Sequence, residues 1–210
     1  MQLKIDDIIV NVEIIRKNNK NLYMRFRDKF TLVVTVNPFV SEREITKIIE
    51  KNRKSLVKMW QKKEQEEQKD AFFCYLGKTY TRIFDGVTKK VEFIGDNVIA
   101  KDERALAKFY KQECERIFTY EVNRITPYFK NIPPFVLKIR TMKTRWGVNN
   151  RGNNTITLNS ELLKKDIDLL DYVIIHELCH FYEANHSPRF WAWVSKYYPD
   201  YKLARKRLRG

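Results

Sequence analysis

Apolar and polar residues alternate through the first forty positions, in runs such as DIIVNVEI and FTLVVTV separated by the turn-like RKNNKN. This period of two predicts antiparallel strands. After Pro38 the period changes. Ser41 followed by Glu44 forms a capping-box pattern, and Ile45, Ile48, Ile49, Leu56, Met59 and Trp60 share one helical face, which predicts a long amphipathic helix running into the charged segment KKEQEEQKD. Mixed charges at that helix end mark a domain boundary, giving an N-terminal domain over 1–70 and a second over 71–210. FFCYLGKTYTRIF and KKVEFI then read as a hairpin punctuated by Gly77 and Asp85-Gly86. A second long amphipathic helix is expected from about Asp102 to Thr126, where Pro127 ends it. Two further strands, FVLKIRTM and NTITLN, are separated by the turn-rich KTRWGVNNRGN and lead into a helix, DIDLLDYVIIHELCHFYEA. The expected fold class is α+β, with that helix packed on a small antiparallel sheet after a β-rich N-terminal region and long amphipathic helices.

Composition narrows the function classes. The 210 residues are 43% hydrophobic and 13% aromatic, enough for a substantial core, so global disorder is excluded. With 32% charged residues and no apolar run near twenty positions, no membrane span is expected. The start, MQLKIDDIIVNVEI, lacks the basic and then apolar pattern of a secretory signal, and three cysteines, Cys74, Cys114 and Cys179, are too few and too scattered for a disulfide framework. A cytoplasmic, reducing location follows as the expectation. The formal charge of +15 creates a field that draws phosphate-rich partners or acidic substrates, although solubility alone also accounts for it. Oligomeric state is not readable from the sequence.

All three histidines, His176, His180 and His186, fall within HELCHFYEANH. On a helix, His176 and His180 stand four residues apart on one face, and Glu177 lies beside them, the H-E-x-x-H arrangement of two metal ligands and a general base. Two residues compete as third ligand. Glu183 shares the face if the helix continues, whereas His186 reaches back if the chain turns at 185–187; Asn185 as a left-handed terminator, Ser187 as N-cap and Pro188 in the first turn of PRFWAWVSKYY favour His186. Three imidazoles leave a fourth position open, as a catalytic zinc needs, and Glu183 then becomes a supporting residue. Ligand type also admits manganese, nickel or cobalt. Cys179 is expected to be a small buried residue rather than a fourth ligand, and Trp191 and Trp193 core or pocket wall.

With MKTRWG (142–147), ITLNSELL (156–163), DYVIIHELCHFYEANHSPRFWAWV (171–194) and, more weakly, YLGKTY (75–80), the chain resembles the YgjP-like metal-dependent hydrolases, which are classed with zincin-fold metallopeptidases and more distantly related to the SprT and WLM groups. The resemblance implies a zincin-like C-terminal catalytic domain, one zinc ion on His176, His180 and His186, and Glu177 as general base. Where the family reads RWGSC, this chain has RWGVNN, so Val148-Asn149 replaces Ser-Cys. The leading expectation is a zinc metallopeptidase acting on peptide or protein through a metal-activated water. Arg145, Tyr172, Tyr182 and Tyr198 are candidate oxyanion donors, with Arg145 placed among the catalytic residues, although the loop carrying it can equally be structural. Two alternatives remain: a nucleoside triphosphate pyrophosphohydrolase, an activity associated with YgjP-like proteins, using Lys143, Arg145 or Arg151 on phosphate; and a DNA-associated protease or binding module using the basic tail Lys202, Arg205, Lys206, Arg207 and Arg209.

Overall fold

The computed structural model describes residues 1–5 and 7–209; the side chains of 66–70, which close the expected charged run, lie outside the described residues. The chain divides into two compact units, Met1–Phe72 and Phe73–Gly210. No helix among the described residues is long and apolar enough to cross a membrane.

In the first unit, strands β1 (Gln2–Ile5), β2 (Ile8–Arg16), β3 (Tyr23–Asp28) and β4 (Thr31–Val36) form one sheet in the order β1-β2-β4-β3. The alternation forecast the strands, and β1–β2 and β3–β4 pair antiparallel as expected, but β4 inserts between β2 and β3 and so runs parallel to β2. The expected single helix is two, α1 (Glu42–Lys51) and α2 (Arg53–Asp70). Asn52 separates them: its side-chain amide donates to the Ile48 carbonyl at 2.8 Å, a local bond that competes with helix continuation. The Ser41–Glu44 capping box is present. Ile45, Ile49, Leu56 and Trp60 cover the sheet residues Leu3, Val10, Leu32 and Val34, and the Trp60 indole donates to the Lys29 carbonyl at 2.8 Å.

The second unit opens within β5 (Phe72–Tyr75), which forms a sheet with β6 (Lys78–Phe84), β7 (Glu92–Ile94) and β8 (Asn97–Ala100) in the order β5-β6-β8-β7. The expected hairpin is therefore split, since β8 lies between β6 and β7 and parallel to β6. At the β5–β6 turn, Leu76 and Gly77 both have positive φ, as a tight two-residue hairpin requires, and Leu76 N–H donates to the Leu163 carbonyl. Helix α3 (Glu103–Ile125) is capped by Asp102 and gives Phe118, Val122 and Ile125 to the core. Strands β9 (Val136–Arg140), β10 (Gly147–Asn150) and β11 (Thr155–Asn159) form a sheet ordered β10-β11-β9. It is mixed rather than antiparallel: the chain reverses into β10, an element expected to be loop, and reverses again, so β11 runs parallel to β9 and antiparallel to β10.

All three sheets share one device. The last of three successive strands inserts between the first two, and it is the most buried of them, with β11 buried at every position. A strand covered on both faces draws mainly on apolar and β-branched residues, which is how TLVVTV and TITL read. Helix α4 (Ile167–Cys179) is also surrounded, burying Leu170, Val173, Ile174 and Leu178 among others. Helices α5 (Pro188–Tyr197) and α6 (Tyr201–Arg209) close the core through Phe190, Val194, Ala204 and Leu208. The expected basic tail is therefore a packed helix.

Candidate metal centre

Helix α4 carries His176 and Glu177 and stops at Cys179, well short of the expected turn at 185. No left-handed residue ends it. Short bonds tighten the last turn instead, from His180, Phe181 and Tyr182 N–H to the carbonyls three residues back, at 3.2, 3.0 and 3.0 Å. The carbonyl of Glu177 also accepts from the Asn149 side-chain amide at 2.7 Å. The early stop frees residues 181–186 to fold back, and Ser187 then caps α5 with Pro188 at its start, fixing the position of His186.

The three imidazoles converge over one buried ring. Phe190 lies 4.9, 4.5 and 4.8 Å, centroid to centroid, from His176, His180 and His186. Trp191 stacks on His186 at 5.5 Å. His180 Nδ1 lies 3.1 Å from the Glu183 carbonyl, and since a carbonyl only accepts, Nδ1 carries the hydrogen and Nε2 keeps its lone pair. Glu183 itself points its carboxylate at Arg189, 3.1 Å away, so it supports the centre through its backbone rather than its side chain. His176 Nδ1 is buried without a hydrogen-bond partner, and packing on Phe190 and Tyr172 sets that ring's orientation.

Burial, followed by the neighbouring His180 and His186, lowers the His176 pKa to about 3, and burial lowers His180 and His186 as well. All three are thus held neutral, the form that binds a metal. His176 Nε2 and His186 Nε2 are 3.0 Å apart, and one potential ligand atom from each of the three histidines lies within 4.8 Å of the others. Nitrogens tetrahedrally bound to one ion at roughly 2.0–2.1 Å stand about 3.3 Å apart, so a relative shift of no more than about 1.5 Å brings the set onto a single cation. The donor set fits a divalent metal.

Glu177 is 4% exposed, and burial raises its pKa to about 8 against the lowering effects of a hydrogen bond with the Asn149 backbone and the charge of Arg145. Gly147 makes room for it: a Cβ there would stand 2.5 Å from Glu177 Oε1. The substituted Asn149 thus has a structural task, touching Glu177 through both its side chain and its backbone. A cavity of about 580 Å³ brings His176, Glu177, His180 and His186 together with Arg145 and Tyr172. Tyr182 donates its hydroxyl to the Lys130 carbonyl, and Tyr182, Tyr198 and Lys143 are not among the lining residues.

Two supporting residues escaped the sequence reading. Asn159, 3% exposed, donates to the carbonyls of Met142 and Arg145, both at 2.9 Å, and accepts from Met142 and Glu161 N–H, pinning the MKTRWG loop. Its position inside ITLNSELL was the available signal. Phe190 had only its apolar character to mark it.

A family model described as YgjP-like, metallopeptidase domain, matches residues 20–210. The chain belongs to the YgjP-like family. Among solved structures, the metallopeptidase zymogen of Methanocaldococcus jannaschii jannalysin is 24% identical, the match covering 43% of this chain and 94% of that one with a TM-score of 0.38. The metallopeptidase zymogen of Pyrococcus abyssi abylysin is 27% identical over 45% of this chain and 90% of that one, with a TM-score of 0.37. No curated protein matches the chain. As a YgjP-like protein it is a metal-dependent peptidase at the level of its family.

Proposed function

We propose that this protein is a zinc-dependent peptidase whose C-terminal domain, 71–210, has a zincin-like arrangement. The observation that carries the reading is the grouping of three neutral imidazoles and the buried carboxylate of Glu177 in one cavity. His176, His180 and His186 would hold the ion, which when bound would supply Lewis acidity to a water and to the peptide carbonyl. With a divalent cation bound beside it, whose charge would oppose the protonation that burial favours, Glu177 would take the proton of the attacking water at its carboxylate and then give it to the amide nitrogen as the C–N bond breaks. Its enclosure by Gly147 and Asn149 supports that role by holding the carboxylate in one place. Arg145 and Tyr172, which line the same cavity, are the donors assigned to the developing oxyanion. All three cysteines are free, in keeping with a reducing cytoplasmic setting.

The test is the metal content of the purified protein beside His186→Ala, measured by elemental mass spectrometry, with cleavage of an unstructured protein assayed in parallel. One zinc per chain and proteolysis in the wild type, both lost in the variant, are expected. Proteolysis that persists in a variant without metal would overturn the reading.

A further inference from the structure

The same cavity carries a charge pattern that bears on what it accepts, an inference that rests on the peptidase reading. Arg145, Arg151, Arg205 and Arg209 all line it, and among the described residues that line it the one carboxylate is that of the enclosed Glu177. Of the seven arginines elsewhere in this unit, five are matched with acids, Arg82 with Glu103, Arg116 with Glu113, Arg124 with Glu121 and Asp171, Arg189 with Glu183, and Arg207 with Asp166 and Asp168, while Arg104 and Arg140 are spread singly over the surface without one among the described residues. Among the described residues the four cavity arginines pair with no carboxylate, and all four are exposed. General solubility does not require unmatched cations to gather in a cleft.

Their placement is fixed. Arg205 and Arg209 stand four residues apart on one face of α6, whose other side is pinned by Arg207 on Asp166 and Asp168 and by buried Ala204 and Leu208. The Trp146 indole also donates to the Leu208 carbonyl at 3.1 Å. Arg205 lies over the Trp191 ring, 4.9 Å from its centroid, and that ring stacks on His186. Arg145 and Arg151 stand immediately before and after the β10 region, where their charges act on Glu177 and His180, respectively. Cations thus reach the metal centre from two separate elements.

We propose that the cleft selects peptide segments carrying Asp or Glu on both sides of the scissile bond, with these four arginines as the specificity-determining residues. A guanidinium with no carboxylate bonded to it offers its donors to one, often as two parallel bonds, and repels lysine. Peptides are favoured over phosphate esters because apolar Trp146, Val148 and Leu208 line the cavity beside the cations and give extended peptide side chains a surface to cover.

The experiment compares three otherwise identical quenched-fluorescence peptides bearing Glu, Gln or Lys at four positions around a common central dipeptide. The full-length, zinc-loaded protein is assayed beside Arg205→Gln/Arg209→Gln, and peptide binding to Glu177→Gln is measured by fluorescence anisotropy. The expected kcat/KM favours Glu over Gln by about tenfold, with Lys last, and the ratio shrinks in about 0.5 M salt and in the double variant. Equal cleavage of the three peptides overturns the proposal and leaves the peptidase reading standing. Salt-sensitive preference for the Glu peptide in binding, with no peptide cleaved, keeps the anionic selectivity and removes the hydrolytic reading. Displacement of the Glu peptide by inorganic triphosphate at far lower concentration than by free Glu peptide overturns the proposal in favour of a phosphate ligand.

Discussion

The two units solve the problem of burial differently. Among its described residues the N-terminal unit buries only apolar side chains, and its polar groups, such as the Arg27–Glu13 pair, stay at the surface. The C-terminal unit buries Glu121, Thr155, Thr157, Asn159 and Glu177 as well. Each such group costs free energy unless it finds partners, and Asn159 finds four while Glu121 pairs with Arg124 at 2.5 Å. Glu177 is the charged group with the poorest compensation: burial outweighs a bond from the Asn149 backbone and the charge of Arg145 and pushes its pKa up. A core built for stability alone has no use for that residue. The contrast separates the unit that is only packed from the unit that is packed around chemistry.

The contrast is open to direct attack. Glu177→Gln should have the largest effect, lowering hydrolysis on the order of 10³-fold in single-turnover assays while metal content stays at the wild-type level. Full activity in that variant would remove the reason given for burying the acid. Leu32→Ala, in the purely apolar unit, should cost about 2–5 kcal/mol of that unit's stability in denaturant titrations and leave zinc stoichiometry unchanged. A parallel loss of zinc would erase the division of labour. Gly147→Ala should lower kcat by roughly 10–100-fold with little change in the unfolding midpoint, because the added Cβ displaces the Glu177 carboxylate rather than the fold. Asn149→Ala should have the smallest effect, about 1 kcal/mol in the unfolding free energy, from loss of one bond to the Glu177 carbonyl.

Local signals in the sequence translated well into local structure. The capping box at Ser41, the start of α3 near Asp102 and the Ser187-Pro188 start of α5 all appear, because each is decided within a few residues. The histidine spacing likewise located one cluster of ligand atoms. What depends on distant partners was not legible. One pairing in each of the three sheets is parallel where antiparallel strands were expected, since nothing in an alternating pattern tells a strand that a later one will insert beside it. β10 read as loop because GVNN has little strand character of its own, and pairing with the buried β11 makes it a strand. The early end of α4 depends in part on Asn149, which lies 28 residues before Glu177.

The compactness of the ligand set along the chain has a thermal consequence. An ion held by residues 176–186 closes a loop of only about ten residues, and the entropy saved by closing so short a segment is small. The rings bracketing that segment are already seated on Phe190, itself fully buried in a core that draws on α3, β11, α4, α5 and α6. Chelation should therefore extract the metal from a molecule that keeps its melting cooperativity and most of its melting temperature, unlike small domains whose fold exists only around their ion.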